Sequence, residues 1–214
     1  MRRIVRPLAL LALAGVIALP LAAQGGGLVE VNSGSGLRHG FFVTGALGDG
    51  MESYQYADVP GYSSAFSNPA FAVRIGGTPS PYFRLGAEFF GWSGSVADSF
   101  AFSGSDTETF GAFLLTGQFY PSLRAGFYLK GGLGVAHTAT DYDDGSSNGE
   151  SGFGFTVGAG WDFALSRNIS LGPVIDLYQG SFTARDQNGG ALPTLDDRVL
   201  NIGASITFQS SRWW

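Results

Sequence analysis

The chain has two histidines, His39 and His137, and no cysteine, so base chemistry near neutral pH rests on very few side chains. A histidine activates a hydroxyl only when that hydroxyl lies within hydrogen-bond reach and a third group orients the ring. Glu150 follows His137, but the residue two beyond His137, where a serine would share its face of an extended strand, is Ala139. A base with no nucleophile beside it is not a catalytic constellation, and no catalytic residue is expected. His39 reads as an interfacial residue at the opposite end of its strand.

The acidic residues suggest metal chemistry instead. Thirteen of the 17 acidic side chains fall in four polar stretches, among them Asp49, Glu52, Asp58, Asp106, Glu108, Asp141, Asp143, Asp144 and Glu150. The run "DYDDGSSNGE", residues 141–150, invites comparison with a calcium loop, yet its glycine comes one place early and no helical pattern flanks it. No metal and no other cofactor is expected. These acids read as a solvated, mutually repulsive surface, with divalent cations shared with lipid phosphates as the alternative.

The elements that carry these residues are legible from the start of the chain onward. "MRRIVRPLALLALAGVIALPLAAQ" has three arginines, an apolar run from Leu8 to Leu21 and small residues at its close. That is the pattern of a secretory signal peptide over residues 1–23, cut between Ala23 and Gln24. Pro20 interrupts the run, which is shorter than the roughly 20 residues a spanning helix needs. Residues 24–37 then read as a flexible lead-in. Without the signal, nine basic residues face 17 acidic ones, a balance that does not suit phosphate backbones, so nucleic acid is not an expected partner. Glycine is abundant at 34 residues, beside 14% aromatics, and that combination requires an architectural reason.

Apolar and small or polar residues alternate in eight windows bounded by turn residues. Strands are predicted at Arg38–Gly48, Pro69–Gly77, Tyr82–Trp92, Thr109–Tyr120, Arg124–Thr138, Gly152–Leu165, Asn168–Phe182 and Arg198–Phe208. Short turns join the second to the third, the fourth to the fifth and the sixth to the seventh; the other connections are long and polar. Faces separate clearly. Phe71, Val73 and Ile75 oppose Ala70, Ala72, Arg74 and Gly76; Phe155, Val157, Trp161 and Phe163 oppose Gly154, Thr156, Gly158, Gly160 and Asp162. One face is large and apolar, the other small with isolated charges. A soluble barrel needs bulky residues inside, so here the bulky face must meet lipid and the small face a narrow lumen. Closure would leave no strand edge unpaired in hydrocarbon.

These residues predict an all-β protein: an eight-stranded antiparallel up-and-down transmembrane barrel over residues 38–208, with a short tail at 209–214. In this it resembles the eight-stranded outer-membrane β-barrel family, grouped with the membrane domain of outer-membrane protein A and its small relatives. The resemblance implies an outer-membrane location with both termini in the periplasm, contact with membrane lipid and lipopolysaccharide, and insertion by a barrel-assembly machinery. It also implies a closing signal for that machinery, carried here by Asn201, Gly203, Ile206 and Phe208, although "QSSRWW" continues beyond the aromatic and a register ending at Trp214 is the alternative. Some barrels of this size modify lipid A through a histidine, a serine and a carboxylate; Ala139 speaks against that role here.

Inward charges remain. Arg74, Arg84 and Lys130 share a lumen with Glu88, Asp162 and Asp176, and such groups should pair, because an unpaired buried charge is costly. A salt-bridged plug follows, and with it a structural or surface-interaction role through acidic extracellular loops and a partner outside the cell. A small pore for ions or small solutes is the second reading.

Overall fold

Alternating sequence needs a partner on each side of every strand, and this chain supplies it by closing on itself. The computed structural model describes residues 38–58, 60–63, 65–97, 105–142, 145–183 and 193–210. Ala23, Gln24, the signal and lead-in segments, Asp143, Asp144, Trp213 and Trp214 lie outside the described residues.

Nine stretches of strand build eight staves. They are β1 (Gly40–Tyr56), β2 (Phe66–Ser80), β3 (Phe83–Ala97), β4 (Ser105–Phe119), β5 (Phe127–Asp141), β6 (Ser147–Trp161), β7 (Phe163–Ala164), β8 (Ile169–Phe182) and β9 (Leu195–Gln209). β6 and β7 are one stave interrupted at Asp162, and both pair with β8. Each stave lies antiparallel to its sequence neighbours, and β1 pairs with β9 to close the ring. Among the described residues there is no helix.

Face assignment follows the alternation. Leu47, Phe71, Val73, Ile75, Leu85, Phe113, Leu115, Leu133, Val157 and Ile206 are exposed on the outside. Aromatics ring the short-turn end: Phe83 packs on Phe119 with centroids 5.1 Å apart, and Trp161 lies between Phe127 and Phe163. Such a girdle suits a membrane–water boundary.

Two sequence expectations are corrected. First, most of the described residues of the polar stretches are strand rather than loop. Asp49–Tyr56, Ser93–Ala97, Ser105–Glu108, Ala139–Asp141, Ser147–Ser151 and Leu195–Asp197 are strand, because hairpin pairing continues past the apolar belt. At roughly 3.3 Å per residue and a tilt near 40°, 15 residues reach about 38 Å, against an apolar band of about 25 Å. The excess stands out at the long-loop end. At the other end Arg124–Gly126 precede β5 rather than opening it, and Gln209, expected in the tail, belongs to β9.

Second, the inward face is not uniformly small. Phe42, Phe90, Trp92, Phe110, Leu114, Tyr120, Tyr128, Tyr178 and Phe182 are all buried in the interior. Glycines make the space. A side chain at Gly50 would strike the Trp92 ring, one at Gly160 the Tyr128 hydroxyl, and one at Gly180 the Phe182 ring. Each of these three rings sits over a position with no Cβ, so this part of the interior packs densely with few residues.

The candidate functional site: lumen and mouth

Two charged clusters occupy the lumen. In the first, β3 contributes Glu88, β2 Arg74, β5 Lys130 and β8 Asp176 and Tyr178. Arg74 pairs with Glu88. Lys130 Nζ lies 2.9 Å from Glu88 Oε1 and 2.9 Å from Asp176 Oδ2, and it donates to the Tyr178 hydroxyl at 3.0 Å. That hydroxyl in turn donates to Glu88 at 2.7 Å. Glu88 and Lys130 are wholly buried, and Phe90 stacks on Tyr178 with ring centroids 3.7 Å apart.

In the second cluster, nearer the short turns, Arg84 Nη1 pairs with Asp162 Oδ2 at 2.7 Å, and the Tyr120 hydroxyl donates to the same oxygen at 2.8 Å. Arg84 also donates to Gln209 Oε1 at 2.6 Å, while Gln209 Nε2 donates to Thr78 and to the carbonyl of His39. Arg38 caps this end, lying over the Tyr120 ring and donating to the carbonyls of Leu123 and Ala125. The six charged residues named from sequence therefore divide between two sites, with Asp162 placed by the break between β6 and β7. Gln209, Tyr120 and Tyr178 complete these clusters, and no charge count could have found them.

The closing strand places Phe208 outward, opposite Val43 of β1 and Ile169 of β8, with Ile206 on the same face. Asn201 and Gly203 face inward. A side chain at Gly203 would run into the backbone of Gly48, which leaves β1 and β9 in close contact.

His137 is not alone. Its Nδ1 lies 3.0 Å from Ser151 Oγ, which β6 brings beside it on the outward face. The sequence search along one strand missed this cross-strand neighbour. The pair lines an apolar recess of about 560 Å³ with Phe89, Gly91, Gly111 and Phe113. Glu150 cannot orient the ring in the manner of a catalytic carboxylate, because its position alternates to the inward face and lines the mouth instead.

At the long-loop mouth, carboxylates from four staves gather around a cavity of about 430 Å³: Glu52 on β1, Asp106 and Glu108 on β4, Glu150 on β6 and Asp197 on β9. Glu52 makes carboxyl-to-carboxyl hydrogen bonds with Asp197 and Glu108. Burial, then repulsion from Asp197 and Glu108, pushes the Glu52 carboxyl up to about 10. Burial likewise raises Asp197 to about 7 and moves Glu108 upward. Burial raises the Tyr54 and Tyr56 phenols as well, with help from neighbouring carboxylates.

The model of the outer membrane protein beta-barrel domain matches residues 8–208. The chain belongs to that family. Its location is accordingly the outer membrane. Among solved structures it is similar to Neisserial surface protein A, at 10% identity over 79% of this chain and 97% of that one, with a TM-score of 0.53. It is also similar to Ail, the attachment invasion locus protein of Yersinia pestis, in complex with the heparin analogue sucrose octasulfate. That match has 12% identity over 79% of this chain and 99% of that one, with a TM-score of 0.50. At such identities the likeness concerns the fold alone. No curated protein matches the chain by sequence.

Proposed function

We propose that this is a closed, non-catalytic outer-membrane barrel that acts at the cell surface through the strand extensions and loops of its long-loop end. In this reading that end is extracellular and the termini are periplasmic. One observation carries it: Glu88 and Lys130, at the centre of the lumen, have side chains with no exposed surface. An ion crossing the barrel would have to displace a hydrogen-bonded charge cluster and the Phe90–Tyr178 stack beside it. Depriving one partner of a buried pair of this kind costs about 3–5 kcal/mol, so the cluster favours the closed arrangement.

The outward apolar belt supplies the contact with membrane lipid and lipopolysaccharide, and the Asn201, Gly203, Ile206 and Phe208 pattern supplies the contact with the assembly machinery. The mouth differs in charge from what a sulfated saccharide such as the ligand of Ail would require, since its wall is acidic. A partner of positive charge fits it better.

Single-channel recording in planar bilayers tests the closed barrel. The protein should give no unitary steps above the bare membrane. Steady ohmic steps from pure folded protein would overturn this reading in favour of the small pore.

A further inference from the structure

We propose that the acidic mouth is a binding site for an aliphatic polyammonium group, either a free polyamine or the lysine side chains of a cationic peptide. The inference rests on the surface role above and gives that role a ligand class.

An acidic cluster alone would imply only repulsion. Here a second feature points to a ligand. Glu52 and Asp197 are each 2% exposed and line the cavity, and Glu52 Oε2 and Asp197 Oδ1 receive no hydrogen bond from any described group outside the carboxyl cluster. Glu108 Oε2 and Glu150 Oε2 are buried and undonated in the same wall. Buried acceptors without donors are expensive, and several sharing one wall call for a donor that is also a cation. No lysine or arginine among the described residues lines the cavity. Arg198, next to Asp197 in sequence, turns the other way: its Nε donates to Ser53 Oγ at 2.9 Å and its guanidinium lies 3.5 Å over the Tyr62 ring.

The size and spread of the site select the kind of cation. Among the described residues no three of these groups converge closely enough to hold a metal ion. The carboxylates instead come from four staves and line a space of about 430 Å³, within the range of small-molecule sites. A ligand with several ammonium groups on an apolar chain meets both features, since each ammonium brings three donors. Tyr54, Tyr56 and Tyr142 also line the cavity and can receive a cation on their ring faces. Trp92 lies just below, its Nε1 donating to the Gly50 carbonyl at 2.8 Å, and the closed lumen beneath gives the site a floor.

Isothermal titration of the folded protein in a neutral maltoside detergent decides the matter, with spermidine as one probe and a trilysine peptide as the other. Saturable binding of either is expected, and the tighter of the two identifies the source. Glu108→Gln and Asp197→Asn should each weaken it about tenfold or more, whereas Asp49→Asn should leave it unchanged, because Asp49 sits on the outward face bonded to Ser67. Magnesium should bind more weakly than either probe. Heats that vary with the ionisation enthalpy of the buffer should reveal protons leaving the cluster as the cation enters. Heat-shifted mobility on denaturing gels confirms that each variant is folded; if one is not, the other carries the test. No saturable binding, magnesium binding tighter than both amines, or an equal loss in Asp49→Asn would overturn the site. A conducting barrel that still binds spermidine would refute the closed lumen and leave the site standing.

Discussion

Glu88 and Lys130, 42 residues apart in sequence, meet at 2.9 Å in the middle of the lumen with neither side chain reaching solvent. Glu88 also answers Arg74 and the Tyr178 hydroxyl, so its removal strands Arg74 and leaves Lys130 with Asp176 as its only carboxylate. Glu88→Ala should therefore lower the stability of the refolded barrel by about 3–5 kcal/mol, measured by urea unfolding in micelles. Replacing Arg74, Glu88 and Lys130 by methionine and Asp176 by asparagine should cost much less, since no charge is left unpaired. Equal losses in the two variants would mean that packing, not charge, holds this layer.

The faces of β6 yield a sharper contrast. Val157 is 50% exposed on the outside, while a side chain at Gly158 would lie 2.6 Å from the Ile175 carbonyl inside. Val157→Arg places a charge in hydrocarbon and should cost about 2–4 kcal/mol at midplane. Gly158→Arg should instead prevent closure between β6 and β8. Spin labels at the two sites would read lipid only at position 157, and reversed accessibilities would move every inward residue to the other face.

At the mouth the sign of the pH dependence is fixed. Glu52 and Asp197 titrate near 10 and 7 in the folded barrel, above the 4.5 and 3.8 of free carboxyls, so the folded state holds extra protons between those limits. Their contribution to stability is present at low pH, below the free-carboxyl values, and is lost as pH rises through about 7 and on toward 10. Facing them are Glu108, Glu150, Asp106, Tyr54 and Thr138, with no cation among the described lining residues. Unfolding midpoints should fall from pH 5 to pH 9, and Glu52→Gln should flatten that slope. A midpoint that rises with pH would contradict the protonated cluster.

Phe208 should matter for assembly more than for the finished barrel. It is 51% exposed on the outward face, so Phe208→Ala removes only part of a buried ring and should cost about 1–2 kcal/mol in micelles. The amount of folded protein in the outer membrane should drop well beyond that. A control truncation must spare Gln209, whose side chain joins Arg84, Thr78 and the His39 carbonyl. Deleting residues 211–214 should be tolerated; if that deletion abolishes insertion while Phe208→Ala does not, the signal ends at Trp214.

Period-two patterning made the staves and their parity legible, because a single outward Val157 or inward Arg74 fixes the face of a whole strand. It failed where the governing relation crosses strands. Ser151 stands 14 residues from His137 in sequence, and a search along one strand looks at Ala139 instead. The mouth was missed for a related reason. Glu52, Glu108 and Asp197 lie in stretches whose polar composition reads as loop, although hydrogen bonding keeps them extended and points them inward together. The Trp92 ring escaped because it sits on β3 while the glycine beneath it, Gly50, is on β1.

Those ring-on-glycine seats also constrain how such a barrel can change over generations. Enlarging Gly50 alone would collide with Trp92, and trimming Trp92 alone would open a void, yet the two together could be neutral. Substitution in the lumen should thus proceed as correlated exchanges between strands, while the lipid face, where Leu47 or Leu115 touches only fluid chains, drifts one residue at a time. The inside of the barrel would keep a record of its ancestry in linked pairs, and the outside would lose it.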